Sequence, residues 1–163
     1  MPRFHNVLAA VDFSVTSDDA LAAAVELCNA NRARLHLLHV VPSVQVPYAA
    51  ESIVFDVGEF LSQSVEAARQ QLDTLAAAHP VTTGPPEITV VSGPPAREIV
   101  RYAREEAIDL IVLGAHGHGF LDRLLVGSVA ERGVRHAPCA VLLIPRMAER
   151  QPSVELQAAA ATV

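Results

Sequence analysis

The chain contains no lysine; all twelve of its basic residues are arginine. A phosphate loop of the Gly-x4-Gly-Lys-Ser/Thr kind is therefore excluded, because its lysine is the group that reaches the β- and γ-phosphates. Aromatic residues are scarce, at 4%, and none interleaves with a cluster of arginines. With a formal net charge of −6, the overall field opposes a polyanion, and no nucleic-acid partner is expected. Only two cysteines occur, Cys28 and Cys139, far apart and in apolar surroundings. They form neither a disulfide framework nor a Cys-x2-Cys pair and read as small core residues in a reducing compartment. No apolar stretch approaches the ~20 residues that cross a bilayer. The N-terminal "MPRFHNVLAAVDFS" meets Asp12 too early to hold a signal peptide's apolar region. The expectation is a soluble, cytoplasmic protein that makes no membrane contact.

What is present is apolar patterning. At 163 residues and 51% apolar, the chain is long enough for one domain with a full core and short for two. Strand-like runs fall at 5–11 (HNVLAAV), 34–41 (RLHLLHVV), 87–92 (EITVVS), 109–114 (DLIVLG) and 139–145 (CAVLLIP). Helical spacing falls between them. Over 17–31 it runs through Leu21, Ala24, Val25 and Cys28, with Asp18 and Asp19 suited to the first turn. Over 57–79 the stripe is Phe60, Leu61, Val65, Ala68, Leu72, Leu75 and Ala76. The segment 96–107 presents Ile99, Val100 and Ala103 after a Gly93-Pro94-Pro95 turn, and 128–137 is the last helix. Near-continuous apolar strands alternating with helices predict an α/β fold: an open five-stranded parallel sheet with helices on both faces, Rossmann-like. The domain is expected over 1–146, with 147–163 as a mobile tail. Ligands of such sheets bind beyond the carboxyl ends of the strands, where strand order reverses. That rule selects the loops after the first, second and fourth strands.

The fourth of these strands runs into "GAHGHGFLDRLLVGSVAE", residues 114–131, which holds four of the eight glycines. Gly114 stands where a strand ends and Ser128 where a helix begins. Glycine lets a ligand approach the backbone closely, and a helix N-terminus offers free N–H groups and partial positive charge to an anion. Ser128 adds a hydroxyl donor or caps its helix.

The spacing Gly-x2-Gly-x9-Gly-Ser resembles the nucleotide-binding signature of the universal stress protein family. "NVLAAVDFS", "LHLLHVV" and "IDLIVLGAHGHG" resemble that family's first, second and fourth strands, so the likeness covers essentially residues 3 to 146. It implies the family's fold, similar to adenine-nucleotide hydrolase-like domains, and its ATP-binding branch. By the same resemblance, Ala10 and Asp12 meet the ribose and base side, and Val40 offers its backbone to adenine. Leu113, Gly114, His116 and Gly117 line the ribose and phosphates, while Gly127, Ser128, Val129 and, more weakly, Ala130 hold the phosphates. The ligand implied is ATP, or ADP or AMP, with Mg²⁺ on the phosphates. A homodimer through the last strand, Cys139 to Ile144, is also implied. The chain departs from the family at His116, where arginine or lysine is frequent, and at Ala130, where a hydroxyl residue is frequent.

Blander readings compete at several of these positions. Asp12 suits a turn or cap role with Ser14 and Ser17. His116 and His118 lack the further ligands of a zinc site, so no protein-held metal is expected. His36 and His39, three apart on a strand, fall on opposite faces and read as structural, with at most one near the rim. Ser128 lacks the nucleophile-elbow pattern, and Gly117-x-Gly119 lacks the third glycine of a dinucleotide fingerprint. Arg123 is the one nearby cation, and an arginine there also suits solvent or a dimer contact.

The reading is a regulator or sensor in stress response that binds nucleotide, without a dedicated catalytic residue. Two alternatives stay open: a slow ATPase or adenylating enzyme of the same fold, and a nucleotide-independent dimeric module working through the loop 42–58 with an unidentified protein partner.

Overall fold

The computed structural model describes residues 4–43, 57–115 and 128–145. In chain order its elements are β1 (Asn6–Ala10), α1 (Val15–Asn31), β2 (Arg34–Val41), α2 (Val57–Ala78), β3 (Glu87–Ser92), α3 (Pro95–Glu105), β4 (Leu110–Gly114), α4 (Ser128–His136) and β5 (Ala140–Ile144). All five strands pair in parallel in the order β3-β2-β1-β4-β5. The α/β architecture read from the patterning is the one observed.

Each strand is apolar on both faces because both are covered. Val7, Ala9, Leu35, Leu37, Leu110 and Val112 point to one side, against Ala20, Leu21, Ala24 and Cys28 of α1 and Leu72 of α2. Leu8, Leu38, Ile111 and Leu113 point to the other, against Ile99, Tyr102 and Ala103 of α3, with Val129 of α4 packed alongside. The result is a three-layer sandwich. Cys28 lies within the first cluster. Burial, with a smaller contribution from Asp109, pushes its thiol up to about 12, so it stays protonated and inert.

Two helix boundaries differ from the sequence expectation by two residues, and the others by one at most. α1 starts at Val15 and not at 17, because Ser14 caps it: the Ser14 Oγ accepts from Ser17 N at 3.2 Å. The added turn buries Thr16 and Ser17, which are polar and so left no apolar period to read. α3 ends at Glu105 and not at 107; Glu106 is its C-cap, and Ala107 takes a positive φ of 49°.

At the amino ends of the strands, Asp109 accepts from His5 N at 2.7 Å and from Asn6 N at 3.2 Å. The start of β1 is thus tied to the residue that precedes β4. The opposite, carboxyl end of this pair is open.

Candidate functional site

β1 leads through α1 to β2 on one side, whereas β4 arrives through α3 on the other. Strand order therefore reverses between β1 and β4. Connections diverge there and leave a crevice beyond the strand ends. A cleft of about 420 Å³ occupies this position, within the range of small-molecule sites.

The walls come from five separate stretches of chain. Ala10, Val11 and Asp12 extend β1, and Leu38, His39, Val40 and Pro42 lie at the end of β2. Pro95 and Ile99 come from the first turns of α3, Leu113, Gly114 and Ala115 from the end of β4, and Ser128, Val129 and Ala130 from the start of α4. Ser17 of α1 completes the lining. Toward α3 the wall is carbon: Leu38, Pro42, Pro95 and Ile99. Toward α4 it ends in the first turn of a helix, where N–H groups without intrahelical partners and the positive dipole end favour an anion.

The two ionisable lining residues among the described ones, Asp12 and His39, are both held in place. Asp12 Oδ1 accepts from Ser14 N at 3.0 Å and from Ser14 Oγ at 2.5 Å. Ser14 in turn caps α1, so Asp12 faces the cleft and also braces a helix start. His39 Nδ1 lies 2.7 Å from the Val11 carbonyl, which can only accept, so this nitrogen carries the proton.

Gly114 has a packing reason to be glycine. A Cβ there would lie 3.0 Å from Thr16 Cγ2 and 3.1 Å from the Thr16 backbone, because α1 crosses the end of β4 closely. Gly133 of α4 similarly sits so near β4 that a Cβ would meet Leu113 Cδ1 at 3.2 Å. This close approach holds the start of α4 over the cleft.

Of the ten site residues expected from sequence, Ala10, Asp12, Val40, Leu113, Gly114, Ser128 and Val129 come together on this one cleft, and so does Ala130. His116, Gly117 and Gly127 lie outside the described residues, as do His118, Gly119, Arg123, most of the loop 42–58 and the tail 147–163. Pro95 and Ile99 fall outside the sequence expectation, which rests on the loops after the first, second and fourth strands and leaves out the loop after the third. The rule that selected the others, carboxyl ends of parallel strands, covers that loop as well. His39 was read as structural; it is structural, and it also lines the cleft. Among the described residues no group of three or more His, Cys, Asp or Glu is arranged to hold a metal ion. No helix among them is long and apolar enough to cross a membrane.

Residues 3–145 match the family model for the universal stress protein family. Universal stress protein A homolog 1 of Coxiella burnetii is 36% identical over 144 residues, covering 87% of this chain and 96% of its own length. Among solved structures, universal stress protein UspA from Lactobacillus plantarum superposes with a TM-score of 0.70 at 32% identity, covering 88% of this chain and 99% of that one. A universal stress protein solved in complex with cAMP shares the fold at a TM-score of 0.61 and 23% identity, over 88% of this chain and 98% of that one.

Proposed function

The chain belongs to the universal stress protein family, and from that premise we propose that it binds an adenine nucleotide between the ends of β1 and β4 and acts as a regulator in stress response. The observation that carries this reading is the division of one cleft into two chemistries. The carbon wall of Leu38, Val40, Pro42, Pro95 and Ile99 suits the faces of a base, while the first turn of α4, with Ser128, suits phosphate. Asp12 stands in the lining as a carboxylate able to accept from a ribose hydroxyl. Gly117 and Gly127 complete the family's spacing, and Mg²⁺ accompanies the phosphates, held by phosphate oxygens and water.

The reading is one of binding, with hydrolysis at most slow, because the sequence shows no dedicated base to activate water and no arginine finger. A homodimer through β5, which lies at an edge of the sheet, and a cytoplasmic location complete the proposal.

Calorimetry on protein stripped of nucleotide tests it. Binding of ATP or AMP at or below the millimolar range is expected, and Gly117→Val with Gly127→Val should abolish it with the circular dichroism spectrum unchanged. No binding near millimolar would refute the reading. Sedimentation equilibrium should return twice the monomer mass; a monomer would remove the dimer.

A further inference from the structure

Asp12 sits on a loop between two residues that a single side chain grips. His39 donates from Nδ1 to the Val11 carbonyl at 2.7 Å. Its ring also packs against Phe13, with centroids 4.5 Å apart and planes 31° from parallel. Val11 and Phe13 are the two chain neighbours of Asp12. Phe13 has φ 61°, a left-handed conformation that a bulky residue keeps only when its surroundings hold it there. The ladder does not continue past this point as strand: Val11 N still bonds to Leu38 O at 2.9 Å, and the chain then turns into the cap of α1. The imidazole thus closes the turn from the β2 side, and the Ser14 bonds to Asp12 close it from the α1 side.

We propose that His39 is a positioning residue for the ligand site, which, through Val11 and Phe13, sets the turn that aims the Asp12 carboxylate at a ribose hydroxyl. This rests on the nucleotide reading above for the identity of the ligand and on the geometry alone for the positioning. The tautomer follows from the contact: with Nδ1 protonated toward a carbonyl, the neutral ring keeps Nε2 as an acceptor. Asparagine places an N–H near the position of Nδ1, so His39→Asn preserves the bond to Val11, whereas His39→Ala removes both the bond and the stack.

Two measurements decide the matter. In the ligand-free protein, ¹⁵N-resolved NMR should find His39 as the Nδ1–H tautomer. The Ser14 amide, which donates to Asp12, should exchange about tenfold faster in His39→Ala and at an intermediate rate in His39→Asn, which keeps the bond to Val11 but not the stack on Phe13. An Nε2–H tautomer, or a Ser14 amide indifferent to His39→Ala, overturns the positioning role whether or not nucleotide binds. In calorimetry, the probes are ATP, 2′-deoxy-ATP and 3′-deoxy-ATP. The wild type should prefer ATP over one deoxy analogue by about tenfold, as for a hydrogen bond to a charged group. His39→Ala should lose that preference while binding the deoxy analogue nearly unchanged, His39→Asn should regain part of it, and His39→Ala added to Asp12→Asn should cost nothing further. Equal weakening toward all three nucleotides would reduce His39 to packing and overturn the proposal. If the wild type binds no nucleotide, the nucleotide reading fails separately, and the amide measurement still decides whether His39 positions Asp12.

Discussion

Two residues carry roles that their chemical type alone would not suggest. Gly114 belongs to the glycine spacing, yet its backbone has no positive φ; what it lacks is room, since α1 lies against it at Thr16. Gly114→Val forces α1 away from β4 and is expected to destabilise the fold by about 1–3 kcal/mol, a fall of several degrees in the melting temperature. A variant as stable as the wild type in urea unfolding would show that the contact relaxes freely. His36 is the second case. It is buried on the α3 face, with Nδ1 3.1 Å from the Tyr102 hydroxyl, which also lies 3.4 Å from Thr89 Oγ1. Burial lowers its pKa below 6.5, and Arg34 adds to this, against the opposing pull of Glu87 and Glu106. The folded state therefore binds its proton less readily than the unfolded chain. The stability from neutral His36 is complete above the unfolded pKa and is lost as pH falls below it, at up to about 1.4 kcal/mol per pH unit. Urea titrations between pH 7.5 and 5.5 should give a flatter profile for His36→Gln than for the wild type; parallel profiles would show that His36 does not drive the change. Reading the strand alternation was enough to separate His36 from His39 by face. The partners that give each its role, Tyr102 and Val11, lie 66 and 28 residues away, where no local pattern reaches.

The helices are not equally attached. α1 buries Ala20, Leu21, Ala24 and Cys28 against the centre of the sheet. Among the described side chains of α2 only Ala68 and Leu72 are buried, and Phe60 near its start stays 42% exposed. The apolar stripe read over 57–79 thus has the right period, but the sheet beneath it is the β2–β3 edge, which reaches only its later turns. Leu72→Ala should cost about 2–5 kcal/mol, as for a fully buried leucine, and should loosen α2 before the rest. Amide exchange is the measurement, with the early turns of α2 least protected already in the wild type. Uniform loosening of all four helices would contradict this. The strand ends were legible because proline, glycine and charge punctuate them. The start of α1 was not, because its cap and buried first turn are built from Ser14, Thr16 and Ser17, residues equally at home in a loop.

At the level of the whole molecule, the cleft is assembled from residues 10–17, 38–42, 95–99, 113–115 and 128–130. A ligand that fills it binds only the folded chain, so saturating nucleotide at 100 times its Kd should raise unfolding free energy by about 2.7 kcal/mol. The shift should appear in the most protected amides of β1, β2 and β4 alike; a gain confined to one loop would mean that the ligand sits elsewhere. The alternation of strands and helices was enough to point to the carboxyl ends of β1, β2 and β4, but the wall at Pro95 and Ile99 follows from a strand order that alternation does not give. The tie across the opposite end of the sheet was not legible either, because Asp109 reads as an ordinary surface carboxylate until β1 is beside it. The reversal of strand order has a consequence in time. β1, β2 and β3 can pair as soon as the first half of the chain exists, but β4 must insert beside β1 across about a hundred residues, pairing Val7 with Leu110. Such long-range closures are late events in folding and in synthesis. Until then half of the walls are missing. If the cleft takes the proposed nucleotide, a chain cut before β4 should bind none, and calorimetry on such a truncation should register no heat with ATP.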